Sequence, residues 1–139
     1  MRMAFFFTVQ KALPLLNDGA SITLTGSVVW HKGMPIYGSY AVTKAALRSY
    51  VRTWAVEFAE RGIRTNVISP GPIETPIFDA QFSTKEASDA LREQFKASVP
   101  LGRMGLAKEI ASAALFLASN ESCYITSIDL PVDAGLGSI

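Results

Sequence analysis

Apolar residues recur along this chain at three- and four-residue steps in some stretches and as short dense runs in others. Phe5, Phe6, Val9, Leu13 and Leu16 follow the first pattern, one face of a helix that Pro14 should kink or end and Asn17-Asp18-Gly19 should stop. Ser21-Ile22-Thr23-Leu24-Thr25, rich in β-branched residues, reads as a strand. A loop through Gly33, Pro35 and Gly38 leads into a long helix running to about Arg61, with Gly62 as its stop. Arg64-Thr65-Asn66-Val67-Ile68-Ser69 is a second strand, ended by Pro70-Gly71-Pro72, and residues 73 to about 82 read as loop. Ser83-Thr84-Lys85-Glu86 has the capping-box order and should open a helix presenting Ala87, Leu91 and Phe95. After the break at Pro100-Leu101-Gly102, a helix from Ala107 to Ser119 turns Ile110, Ala114 and Leu117 inward, and a last strand spans about Ser127 to Val132.

The order αβαβααβ predicts an α/β fold, a parallel sheet covered by helices on both faces. With 139 residues, 49% hydrophobic and 18% charged, the chain should form a single domain over residues 1–139. A net charge of +1 without a basic run argues against a nucleic-acid or anionic-membrane partner. No window approaches the roughly 20 apolar residues of a membrane span, so a soluble, cytoplasmic protein with no membrane partner is expected. The single cysteine, Cys123, leaves no intrachain disulfide and no metal-binding spacing, and is expected as a small buried or half-buried residue near a helix end.

The long central helix carries the chemistry. Tyr40, Lys44, Leu47, Val51, Trp54 and Phe58 share one stripe roughly 80° wide. A lysine in line with that apolar face points toward the protein body, where an ammonium needs a partner or a wet cleft. A tyrosine hydroxyl exchanges a proton poorly near neutral pH unless a positive charge favours the phenolate, and Lys44, one turn from Tyr40, is placed to supply it. Ser27, thirteen positions before Tyr40, follows the first strand and is placed to hold a carbonyl oxygen beside the phenol. The same pair is also compatible with a snorkelling lysine next to an interfacial tyrosine.

In such a sheet ligands gather at the carboxyl ends of the strands. Ser69-Pro70-Gly71-Pro72-Ile73-Glu74-Thr75 lies there: Pro70 and Gly71 allow a sharp, close-approaching backbone, Ile73 offers a backbone group and Thr75 a hydroxyl to a planar polar ligand. A simple turn after a strand is the alternative. In the loop between Ser27 and Tyr40, His31 either lines a substrate mouth or lies in solvent, and Trp30 and Tyr37 either shape an apolar substrate site or pack at its rim.

Taken in order, Leu24-Thr25-Gly26-Ser27, the Tyr40 and Lys44 pair, Asn66 to Thr75, Pro100 to Gly105, Glu109-Ile110-Ala111 and Val132-Asp133-Ala134-Gly135 resemble the carboxyl-terminal half of the short-chain dehydrogenase/reductase family. The resemblance implies the last three strands of a doubly wound, Rossmann-like parallel sheet with flanking helices. It also implies NAD(P)-dependent interconversion of an alcohol and a ketone or aldehyde, with NAD or NADP as cofactor and a small carbonyl or alcohol as substrate. In that family's terms Tyr40 is the general acid or base, Lys44 favours its phenolate and binds the nicotinamide ribose, and Ser27 polarises the substrate oxygen. Pro70, Gly71, Ile73 and Thr75 hold the nicotinamide carboxamide side, and residues from about 76 to 99 cover the substrate, with Phe78, Phe82 and Phe95 as an apolar lid.

The chain departs from the family pattern in four respects. It has no TGxxxGxG phosphate-binding loop, no Asn-Asn-Ala-Gly segment and no residue to select the adenosine ribose. Gly26 stands where the family often has a second serine, a change tolerated because Ser27 keeps the spacing to Tyr40. A sheet with a bare edge invites pairing, so a homodimer or homotetramer is expected. The alternative reading is a non-catalytic remnant serving as an oligomerisation or binding module.

Overall fold

The computed structural model describes residues 4–138. Helix α1 (Ala4–Ala12) is followed by a tight turn of helix at Leu13–Leu15, where Pro14 removes an amide donor. Strand β1 (Ser21–Thr25) leads through a short turn at Val28–Trp30 into helix α2 (Gly38–Glu57). Strand β2 (Arg64–Pro70), the short β3 (Ile73–Glu74), helices α3 (Ile77–Gln81) and α4 (Lys85–Ser98), and the short β4 (Gly105–Leu106) follow. Helix α5 (Ala107–Ala118) and strand β5 (Asp129–Val132) complete the described chain.

Three strands form one parallel sheet in the order β1-β2-β5, with Leu24 opposite Val67 and Val67 opposite Asp129. Helices cover both faces, because successive residues of β2 point to opposite sides. Val67 packs with Leu47 and Val51 of α2, and Thr65 donates its hydroxyl to the Val51 carbonyl at 2.7 Å. On the other side Arg64 donates to the Leu117 carbonyl at 3.0 Å, and Ser21 does so at 2.7 Å, tying α5 to the sheet. The apolar part of the stripe expected on this helix is buried: Leu47, Val51, Trp54 and Phe58 are all core, joined by Val9 of α1 and Ile63, while Tyr40 at its start is half exposed. The parallel sheet between helices is the α/β, Rossmann-like arrangement expected.

Several elements differ in detail. Helix α2 yields to a tighter turn at Ala59–Arg61 before Gly62 stops it at a φ of 62°, a left-handed conformation that glycine adopts without strain. The stretch expected as loop contains α3 and one strand of a two-stranded parallel pair, with Ile73 opposite Gly105. Helix α4 takes Thr84 and not Ser83 as its cap: the Thr84 hydroxyl accepts from the Ala87 amide at 3.3 Å. That phase exposes Ala87 and buries Ser88 completely. Strand β5 starts two residues late because Ser127 sits at a φ of 62°, outside extended geometry. Cys123 is exposed, not buried, because it ends a tight turn that follows α5 on the surface.

Candidate active site

A cleft of about 650 Å³ opens at the carboxyl ends of β1 and β2. Ser27, Tyr40, Lys44, Pro70, Gly71, Ile73 and Thr75, drawn from three separate segments, all line it. Each is placed by a different local device.

Ser27 is extended and caps the turn that follows β1, its hydroxyl oxygen accepting from the Val29 amide at a long 3.4 Å. Val28 and Val29 are buried beside it and seat the turn. The next two residues are tethered from across the sheet: Trp30 Nε1 donates to Asp129 Oδ2 at 2.7 Å, and His31 Nε2 lies 3.0 Å from the same oxygen. Asp129 at the start of β5 therefore steadies the serine-bearing loop through a nearly buried carboxylate. Of the two aromatic loop positions raised by the sequence, Tyr37 lines the cleft while Trp30 packs on His31, ring centroids 3.9 Å apart, and neither of those two reaches it.

Tyr40 lies in the first turn of α2, 47% exposed, with its ring 6.3 Å from that of Tyr37. One turn on, Lys44 Nζ donates to the Thr25 carbonyl at 2.9 Å and stands 5.6 Å from the Tyr40 ring centroid. The ammonium thus sits between the end of β1 and the phenol. Burial pushes the Lys44 ammonium below the usual lysine range. With one carbonyl partner it retains two donors for a ligand's oxygens.

The third segment is shaped by β5. Gly71 runs so close to it that an added β-carbon would lie 2.7 Å from Asp133 Cα, and the Gly71 amide donates to the Val132 carbonyl at 3.1 Å. Only glycine fits there. The chain then reverses into β3, whose pairing with β4 holds Ile73 at the cleft wall. The opposite wall is apolar: Met34, Ile77, Phe78, Leu91, Phe95 and Leu136, with Gln81 as a neutral polar group. Phe78 and Phe95 meet edge to face at 5.8 Å, while Phe82 of the expected lid lies outside the lining.

Sequence reading missed Asp129, Gln81 and Arg92. Arg92 side-chain bonds to Glu74 and Asp79 brace the wall, yet no local pattern announces them.

The fit to a nicotinamide dinucleotide covers one end of that group. Tyr40, Lys44 and the Pro70 to Thr75 segment offer donors and acceptors beside apolar side chains, a lining that fits a nicotinamide riboside, whereas no glycine-rich strand-to-helix turn for a pyrophosphate occurs among the described residues.

Residues 2–137 match a family model described as enoyl-(acyl carrier protein) reductase. An oxidoreductase of Sarocladium schorii is 42% identical over 96% of this chain and 52% of its own length. The 3-oxoacyl-(acyl-carrier-protein) reductase of Thermotoga maritima is 38% identical over 94% of the chain and 52% of that protein. Among solved structures, a blue fluorescent protein from a metagenomic library, determined in complex with NADPH, superposes with a TM-score of 0.83 at 31% identity, covering 94% of this chain and 51% of that one. The chain spans about half the length of the curated relatives it matches. Among the described residues no helix is long and apolar enough to cross a membrane.

Proposed function

The chain belongs to the short-chain dehydrogenase/reductase family, and from that premise we propose that it carries the proton-transfer and nicotinamide-binding side of an NAD(P)-dependent oxidoreductase interconverting an alcohol and a ketone or aldehyde. The observation that supports this reading most is the convergence of Ser27, Tyr40, Lys44 and the Pro70 to Thr75 backbone on a single cleft with an apolar far wall. The dinucleotide, when bound, supplies or takes up the hydride.

The protein's own part is to hold the substrate oxygen and move a proton. In the reducing direction the Tyr40 hydroxyl gives its proton to the substrate oxygen, and the Lys44 ammonium at the ring stabilises the phenolate that remains. The Ser27 hydroxyl, held by only one long bond from Val29, is free to donate to the same oxygen and stabilise charge as it develops. Lys44 would offer its remaining donors to ribose hydroxyls, and its partial burial makes such partners favourable. Ile73 and Thr75, both in the cleft lining, would hold the nicotinamide carboxamide by backbone and hydroxyl groups. The substrate is a small carbonyl or alcohol. Val42 and Val56, strongly exposed on the outer side of α2, support assembly as a homodimer or homotetramer.

The test pairs reduction of a panel of neutral ketones, followed by loss of NADPH absorbance, with Tyr40→Phe. Turnover abolished in the variant while NADPH still binds supports the assignment. Equal turnover by Tyr40→Phe removes it.

A further inference from the structure

One side chain outside the proposed chemistry joins three elements around the cleft. Arg92 of α4 donates from Nε to Glu74 Oε1 at 2.8 Å, from Nη2 to Asp79 Oδ1 at 2.8 Å, and from Nη1 to Ser88 Oγ at 2.7 Å and Asp89 Oδ1 at 3.2 Å. Glu74 belongs to β3, between Ile73 and Thr75. Asp79 belongs to α3, and Ser88 and Asp89 to α4. The guanidinium also stands 5.6 Å from the ring centroid of Phe78, which with Phe95 forms the apolar wall.

Most surface ion pairs contribute little because water competes for both partners. This one differs in geometry: the Glu74, Asp79 and Asp89 carboxylates are 40%, 65% and 53% exposed, but the Arg92 side chain they share is 13% exposed, and Ser88 beside it is wholly buried, itself donating to Asp79 Oδ1 at 3.0 Å. Bonds from Arg92 and Ser88 hold the Asp79 carboxyl below its usual range. Without the cation, Glu74, Asp79 and Asp89 become three like charges converging on one point, so the same cluster that clamps would repel. Only a planar fork satisfies these acceptors together, and a lysine ammonium in its place reaches fewer of them.

We propose that Arg92 is a positioning residue that fastens β3 to the helices covering the cleft, so that the backbone at Ile73 and Thr75 and the Phe78–Phe95 wall keep one fixed separation. The consequence for cofactor binding rests on the function proposed above, whereas the fastening itself does not. It gives one residue control over the width of the cleft between the nicotinamide side and the substrate side. Arg92 meets the wall at the Phe78 ring but does not itself line the cleft, so its effect reaches the Ile73 and Thr75 backbone through Glu74 and the covering helices through Asp79 and Phe78.

Amide hydrogen exchange of the 139-residue chain separates this from a purely local role. Asp79→Asn and Glu74→Gln keep side-chain size and remove one charge each. The fastening predicts that Asp79→Asn speeds exchange in β3 and Glu74→Gln speeds it in α3, each on the order of tenfold, with β1, β2 and α2 unchanged. Loosening confined to the mutated element in both variants would overturn the proposal. Arg92→Met should loosen β3, α3 and α4 together, and Arg92→Lys should not restore them; restoration by lysine would mean that charge alone suffices. Should Arg92→Met lose protection everywhere, the two carboxylate variants decide. A parallel NADPH titration reads the consequence: affinity falling on the order of tenfold in Arg92→Met supports the positioning role, and unchanged affinity overturns it. If the wild-type chain takes up no NADPH, the proposed function fails, while the exchange data still decide the fastening.

Discussion

Adding one methyl group next to the proposed catalytic serine should damage this protein more than its size suggests. Gly26 lies against β2 with its amide donating to the Ile68 carbonyl at 2.7 Å. A β-carbon there would stand 2.6 Å from Val67 Cγ1, 2.7 Å from Ser69 Oγ and 3.3 Å from the Ile68 carbonyl oxygen. Val67 and Ser69 are fully buried and have short side chains, so neither can swing away as a long flexible chain would. The strands must separate or Ser27 must shift. Overpacking of this kind costs about 1–3 kcal/mol. For a chain of this length the unfolding entropy is roughly 0.3 kcal/mol per degree, so Gly26→Ala should lower Tm by about 3–10 °C. Gly33→Ala is the control: nothing lies within 4 Å of its added carbon and its φ is not positive, so it should be neutral or slightly stabilising. Thermal unfolding by circular dichroism reads both. If Gly26→Ala melts within a degree of Gly33→Ala, the close packing of the serine-bearing segment on β2 is wrong. The glycine that stands where the family often has a second serine is thus matched by a β2 that here leaves no space for a side chain.

Arg64, 8% exposed, donates to the Leu117 and Ser119 carbonyls and to Ser122 Oγ at the end of α5. Arg64→Met should destabilise the chain by at least about 3 kcal/mol in urea unfolding, and a loss under about 1 kcal/mol would show that these bonds carry little. Glu109 is bonded by Arg103 and by the Leu106 amide, which hold its carboxyl down at about 2. A lowered carboxyl contributes stability that is complete above the ordinary glutamate range and is lost as the pH falls from there toward about 2. The urea midpoint should therefore drop more between pH 6 and pH 3 for the wild type than for Glu109→Gln, and parallel pH curves would contradict the assignment. Sedimentation at micromolar concentration should show a dimer or larger species; a monodisperse monomer would remove the proposed assembly through α2.

Phase along the helices was legible from sequence because it is local. The stripe from Leu47 to Phe58 on α2 and the inward turn of Leu117 on α5 needed only the 3.6-residue period, and both are buried. The three strands and their parallel order followed from β-branched runs separated by helices. Convergence of the seven candidate residues on one cleft followed from strand ends, which fix where loops gather. The elements that escaped depend on partners distant in sequence. The β3–β4 pair joins Ile73 to Gly105, and two residues of strand leave no periodic trace. Asp129 looks like an ordinary strand residue until Trp30 and His31 are brought across the sheet to it. Arg92 reads as one charge on a polar helix face, and its meaning comes from Glu74 and Asp79, eighteen and thirteen positions away. Cys123 was misplaced because apolar character favours burial on average, while the turn after α5 sets its actual exposure.

Whether this cleft takes the nicotinamide end of a dinucleotide is decided by calorimetric titration of the folded chain with NADPH and with NADH, comparing wild type and Lys44→Ala. Lys44 offers a charged donor to the ribose, and loss of such bonds weakens binding about tenfold or more. Saturable binding to the wild type is expected, weakening by that factor in the variant. No saturable heat from folded wild-type protein, or equal affinity in both, would contradict it.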